Sequence, residues 1–239
     1  MGAVMMNRIL FSPTNSESAA RFLAECSRLA AVGHDVSVTI TAIGTGKRVQ
    51  DEKVLEKMAP EGIAAAVSFE SLSGIVEISP SDMLIRAKGG TPVSEIAVAA
   101  EDEKLWFPHY DGSMENEMNI AALMMKAPIL PVSEMYGGLR EYILSVELVT
   151  GAGEKVRFGS RAVKDVAGYE VIGCLLGGGG RYGMITEATL RLIPGPAVEV
   201  TGKTGSTDPV SIAESEKGPY GRIAANIQKV FDPAGILRW

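Results

Sequence analysis

The feature that most restricts this chain is a glycine run with a β-patterned tail: residues 173–196 read GCLLGGGGRYGMITEATLRLIPGP. Gly178-Gly-Gly-Arg-Tyr-Gly183 satisfies G-x-G-x-x-G, which in a doubly wound α/β sheet opens a helix whose N-terminus receives a pyrophosphate. The residues after Gly183 exclude that geometry. Met184-Ile-Thr-Glu-Ala-Thr-Leu-Arg-Leu192 alternates with period two, carries β-branched residues and stops at Pro194-Gly-Pro196, which is the pattern of a strand. The acidic residue expected about 20 positions further on is missing too; position 203 is a lysine. The glycines therefore lead into a strand, where they supply positive φ and close approach of a main chain or a flat ligand. The other phosphate loop, G-x-x-x-x-G-K-[ST], fails as well, because Thr41 stands at its first glycine and Arg48 follows Gly46-Lys47.

Elsewhere, apolar spacing predicts helices over 16–32, with Ser16 or Ser18 as cap and Gly33 as stop, over 52–58, 92–103 and 223–230, and partly over 113–126. Alternation predicts strands over 35–43, 64–67, 74–78, 83–87 and 184–193, and a hairpin of 141–149 with 155–158 around Gly151-Ala-Gly153. Residues 201–219 have the composition of a linker. Strands and helices do not alternate regularly, so the class is α+β.

Composition removes several functions. Lys and Arg number 23 against 29 Asp and Glu, a formal net charge of −6, which disfavours nucleic acid and anionic membranes as partners. Cys26 and Cys174 show no C-x-x-C spacing and exclude a zinc ribbon or cysteine-held cluster. Both sit among apolar residues and read as buried structural thiols. Two histidines are too few for a histidine-rich metal site, so no metal is expected. No run reaches the roughly 18 apolar residues of a membrane helix. The start, MGAVMMNRIL, lacks a signal-peptide pattern, and a cytoplasmic location is expected.

The glycine run has neighbours in a telling order. Val146-Glu-Leu-Val-Thr-Gly-Ala-Gly-Glu154 leads to Ala162-Val-Lys-Asp-Val-Ala-Gly-Tyr169, then come the glycines and Gly183-Met-Ile-Thr-Glu-Ala, and the chain ends with Phe231-Asp-Pro-Ala-Gly-Ile-Leu237. This resembles the FAD-binding domain shared by vanillyl-alcohol oxidase, p-cresol methylhydroxylase and D-lactate dehydrogenases, and most of all the FAD-binding subunits of bacterial glycolate oxidase. The resemblance covers 64–196 well, 14–58 more weakly, and the last dozen residues. It implies an α+β, two-lobed FAD-binding domain over 1–196, with lobes of about 10–90 and 91–196 and the cofactor between them. Residues 197–222 then form a linker where relatives carry a cap domain over the substrate side of the flavin, making this a shortened form, and 223–239 a terminal helix and tail.

The resemblance also implies site residues. Ile43, Gly44, Thr45, Gly46 and Lys47 match the loop whose amides meet the pyrophosphate, a nest suited to an anion. Pro108, Gly112, Ser113 and Asn119 fall in the second stretch, Lys164, Asp165, Gly168 and Tyr169 in the third, and Gly183, Ile185 and Thr186 on the adenine- or flavin-facing edge. FAD is expected to be non-covalent, because no histidine lies between Asp35 and Phe107. The family usually has Thr-Ile-Gly-Gly where Met118-Asn119-Ile120-Ala121 stands, so side chains are expected to crowd the flavin there. The first loop also lacks the usual leading Arg-Gly or Gly-Gly.

The implied role is a subunit of a 2-hydroxy-acid dehydrogenase or oxidase of the glycolate or lactate type. It would pass electrons from flavin to a larger FAD-binding subunit and an iron–sulfur subunit, with a small organic acid as substrate. The alternative is an assembly subunit that keeps the fold without flavin. No catalytic residue is assigned. Arg140, Arg161, Lys164 and Arg181 are candidates to clamp a substrate carboxylate, each more simply read as solvated. His34 reads as a helix-end residue. His109 reads as a satisfied loop histidine, with a flavin-facing position as the alternative. The methionines of 114–125 read as core, or as a docking surface for a partner.

Overall fold

A computed structural model of the protein describes residues 8–41, 62–110, 118–128, 132–160, 171–195 and 219–238. In chain order the described elements are β1 (Arg8–Phe11), α1 (Ser16–Ala31), β2 (Val36–Thr41), β3 (Ile63–Ser68), β4 (Ile75–Ser79), β5 (Leu84–Lys88), α2 (Val93–Asp102), β6 (Leu105–Trp106), α3 (Ile120–Lys126) and α4 (Val132–Tyr136). After a 3₁₀ turn (Leu139–Tyr142) come β7 (Ile143–Val149), β8 (Lys155–Gly159), α5 (Val171–Leu175), β9 (Met184–Arg191), β10 (Ile193–Pro194), α6 (Pro219–Phe231) and β11 (Leu237–Arg238). The predicted helix 52–58 lies outside the described residues, as does nearly all of the predicted linker.

Local chemistry explains the best-predicted elements. The cap of α1 is Asn15, not a serine: its Oδ1 accepts from the Ser18 amide at 2.9 Å, and Ser18 Oγ returns a bond to the Asn15 amide at 3.3 Å, a reciprocal capping box. Ala19, Ala20, Leu23 and Cys26 form its buried stripe, and Gly33 at φ +95° ends it.

Two larger sheets share one hydrophobic core, and β6 and β10 form a separate antiparallel pair. The first has order β1-β3-β2-β11 with parallel pairing throughout. The second has order β4-β5-β9-β7-β8 and is antiparallel throughout. β4 and β5, expected in the first lobe, pair within the second sheet, Leu84 standing opposite Arg191. Period-two alternation marks a strand but not its partner, and here the partner lies about a hundred residues downstream. The crossing point is the stretch between β3 and β4, anchored by Phe69 and Leu72, both buried. The first sheet takes its last strand from the far end of the chain, β11 beside β2. No described helix is long and apolar enough to cross a membrane.

Candidate functional site

The glycine run enters the central strand β9 and serves backbone packing. Gly183 has φ +140°, and a Cβ there would sit on the Val149 carbonyl oxygen of β7. At Gly180, φ +92°, a Cβ would lie 2.5 Å from Met125 Cε of α3 and 3.4 Å from Ile40 Cβ of β2. The turn is therefore where both sheets and α3 meet. A crevice of about 10 Å³ opens here, lined by Met125, Leu148, Leu175, Gly180, Tyr182, Gly183 and Ile185. β2 ends at Thr41, so the predicted pyrophosphate loop follows in sequence from the carboxyl end of a parallel strand, the end at which open parallel sheets bind ligands.

A second junction was missed in the sequence. Gly89-Gly90 joins β5 to α2, and a Cβ on Gly89 would overlap the Ile185 carbonyl. The Gly89 amide donates to Thr186 O at 2.9 Å, while its own carbonyl accepts from the Ala121 amide at 2.8 Å. One glycine thus ties the β9 edge to the start of α3, and so brings Ile185 and Thr186 together with Asn119. The available signal was a Gly-Gly pair directly after an alternating strand, which marks close backbone approach.

Asn119 caps α3: Oδ1 accepts from the Ala122 amide at 2.8 Å. The residue is buried, and Nδ2 has no hydrogen-bond partner. Ile120 and Ala121 are fully buried in the core. Thr186 is a bulge residue: Ile185 pairs with Leu148 and Glu187 with Glu147, leaving Thr186 without a partner across β7. Its hydroxyl donates to Glu147 Oε1 at 2.9 Å, and its carbonyl accepts from the Gly89 amide. Bulges of this kind re-aim a strand next to a site.

Glu147 belongs to a ladder of charges across all five strands. Arg157 on β8 lies 3.2 Å from Glu147 on β7 and 2.8 Å from Glu187 on β9, and Arg86 on β5 lies 3.3 Å from Glu187 and 3.3 Å from Glu77 on β4. These opposite-charge pairs hold register on the polar face of the sheet.

Pro108 is buried beside His109. His109 is not a satisfied loop histidine. It is fully buried, its ring 5.0 Å from Tyr142 and 6.0 Å from Phe107, and neither ring nitrogen has a hydrogen bond of ordinary geometry. Burial pushes its pKa from 6.5 down to about 4, with the Gly137 backbone and the Glu141 carboxylate opposing weakly. Arg181 is likewise buried rather than solvated, beside Tyr182, whereas Arg140 donates to the Ile143 carbonyl at 3.0 Å. The thiols differ: Cys26 is buried, which raises its pKa to about 11, and Cys174 is exposed, contrary to expectation. Ile43, Gly44, Thr45, Gly46, Lys47, Gly112, Ser113, Arg161, Lys164, Asp165, Gly168 and Tyr169 lie outside the described residues.

Several known proteins are similar to this chain. The chain is 32% identical over 132 residues to glycolate oxidase subunit GlcE of Escherichia coli, covering 54% of this chain and 37% of that protein. It is 25% identical over 200 residues to glycolate oxidase subunit GlcD of Bacillus subtilis, 80% of this chain and 38% of the relative. A D-lactate dehydrogenase of Anaerostipes hadrus matches at 23% identity over 79% of this chain and 37% of its own length. The chain thus spans less than two fifths of each of these relatives. Among solved structures, alkyldihydroxyacetonephosphate synthase superposes with TM-score 0.62 at 16% identity, over 79% of this chain and 32% of that one, which is a likeness of fold. The FAD binding domain family matches residues 8–159, and the chain belongs to that family.

Proposed function

We propose that this chain is the flavin-carrying subunit of a cytoplasmic 2-hydroxy-acid dehydrogenase or oxidase assembly, of the glycolate or lactate type. FAD, held without a covalent bond, would take two electrons from the acid and pass them on to a partner. The observation that carries this reading is the knot of Gly89, Thr186 and Ala121. It converges three chain segments on one edge, leaves a bulged main chain at Thr186, and presents the partnerless Nδ2 of Asn119. A buried amide donor without an acceptor is costly to keep, and an oxygen-rich ligand relieves that cost.

Asn119, the main chain of Gly183, Ile185 and Thr186, and Pro108 are the described residues that would hold the cofactor. The segments around Gly46, Gly112 and Lys164, which lie outside the described residues, are the proposed remainder. The glycolate oxidase and D-lactate dehydrogenase relatives support the substrate class. A larger FAD-binding subunit and an iron–sulfur subunit are the proposed partners. Only residues 195–218 separate β10 from α6, too few for a folded cap, so the substrate wall is proposed to come from a partner.

Purification tests this directly. The protein should show the visible absorption of an oxidised flavin and should release free FAD on denaturation. With glycolate or D-lactate and an artificial dye, it should turn over slowly alone and fast in the reconstituted complex. A colourless protein that still assembles the complex would instead support the flavin-free assembly role.

A further inference from the structure

The His109 ring is the least satisfied polar group among the described residues. A neutral imidazole always carries one N–H and one lone pair; here the Gly137 backbone is the one polar group that interacts with the ring, neither nitrogen makes a hydrogen bond of ordinary geometry, and the residue is fully buried. Its walls are Phe107, Tyr142 and the 137–141 segment. The nearest phenol is already engaged, since Tyr142 donates to the Tyr136 carbonyl at 2.7 Å. Tyr142 in turn lies under the Arg191 guanidinium, 6.0 Å from its centre. Leucine or methionine would fill this site at no cost in hydrogen bonds, so packing alone does not explain a histidine.

The position supplies a reason. His109 adjoins Pro108 on the segment that leads from β6 towards Asn119, and Asn119 holds another orphaned buried donor. In sequence, His109 and Asn119 thus bracket the second stretch of the proposed site, each with a buried nitrogen that lacks a hydrogen bond of ordinary geometry. We infer that His109 is a cofactor-binding residue, its neutral ring hydrogen-bonding an oxygen or ring nitrogen of the bound flavin. This rests on the flavin reading above. A neutral ring adds no charge to the site, so its contribution is orientation and affinity.

The test compares flavin-free wild type with His109→Leu and His109→Met, measuring thermal midpoint without ligand and FAD affinity by quenching of flavin fluorescence. Removing an orphaned group should raise the flavin-free midpoint by about 2–4 °C while weakening FAD binding about tenfold. His109→Gln, which keeps a donor and an acceptor, should recover part of the affinity. Opposite signs in the two measurements are the signature, because a residue that only packs moves both together or leaves the affinity alone. Unchanged affinity in an apolar variant, with the wild type binding FAD, overturns this inference alone. Failure of both apolar variants to fold also overturns it, since an orphaned ring should be dispensable to the flavin-free protein. Absence of FAD binding by wild type overturns the flavin reading itself.

Discussion

The two sheets are held together by opposite means. The parallel sheet gathers strands from both ends of the chain, and its inner strand β3 begins Ile63-Ala-Ala-Ala-Val67, with Ala64, Ala65 and Ala66 fully buried. Such small side chains remove little apolar area per residue, so this sheet leans on a few distant anchors. The antiparallel sheet joins two local hairpins, β4 with β5 and β7 with β8, through the more distant β9. Val146, Leu148, Ala188 and Leu190 pack on one face and the charge ladder lies on the other. Its stability is spread over many contacts. The candidate site sits where the concentrated sheet meets the distributed one, so single changes at the seam should cost far more than single changes on the ladder.

The largest effect is expected at the seam. Gly183→Ala forces a side chain onto the Val149 carbonyl at φ +140°, and the overlap and strain together should cost about 4 kcal/mol. Gly195→Ala is the control. It also has positive φ, +124°, but open space around it, so only strain of about 1–2 kcal/mol is expected. Chemical denaturation of both variants checks the difference. Equal losses would mean that packing against β7 is not what Gly183 provides.

Next comes the anchor of the parallel sheet. Asp232 is buried, and its carboxylate accepts from the Ile236 amide at 3.0 Å and the Leu237 amide at 2.8 Å. It also fills the space beside Gly151, whose amide donates to Phe231 O at 2.9 Å. Asp232→Ala strands two amides and should cost about 3 kcal/mol, lowering the midpoint by roughly 6–12 °C. Hydrogen exchange should show β2 opening before β7. Simultaneous opening of the two strands would contradict the contrast between the sheets.

This contrast also explains what the sequence disclosed. α1, β9 and the β7–β8 hairpin carry their own signals: an apolar stripe, strict alternation and a Gly-Ala-Gly turn. β1 and β11 are too short for any period to show, and they exist only because distant segments complete the parallel sheet. β4 and β5 were legible as strands but not as members of the second sheet. For the site, Gly183, Ile185, Thr186 and Asn119 came from motif order. Gly89 and the orphaned ring of His109 are visible only when three segments meet, because neither hydrogen-bond satisfaction nor close backbone approach is encoded by spacing along the chain.

His109 adds a pH-dependent effect on the antiparallel side. Its folded pKa is about 4, against an ordinary value of 6.5. Between those values the unfolded chain binds more protons than the folded one, so stability is full above about pH 6.5 and falls as the pH drops towards 4. The loss should be about 2–3 kcal/mol. His109→Leu should flatten this slope in thermal scans across the window, and an unchanged slope would assign it to other groups.

The smallest effect belongs to the ladder. Arg157 bonds both Glu147 and Glu187, yet its side chain is 41% exposed, so solvent and salt screen most of the attraction. Arg157→Gln should cost under about 1 kcal/mol, and the cost should shrink further at high salt. The loss is also buffered locally. Glu187 keeps Arg86 at 3.3 Å, and Glu147 keeps the Thr186 hydroxyl at 2.9 Å, so neither carboxylate is left alone. A double-mutant cycle of Arg157→Gln with Glu187→Gln isolates the pair, and a coupling well above 1 kcal/mol would show that the antiparallel sheet has a concentrated anchor of its own. A small coupling places the ladder's value in register. Glu147 stands opposite both Arg157 and Glu187, and a one-residue slip of β8 would turn Arg157 to the apolar face and bury a guanidinium. The ladder then acts mainly by penalising the wrong pairing. It keeps β7 and β9 aligned so that the bulge falls at Thr186, on the edge that Gly89 ties to α3.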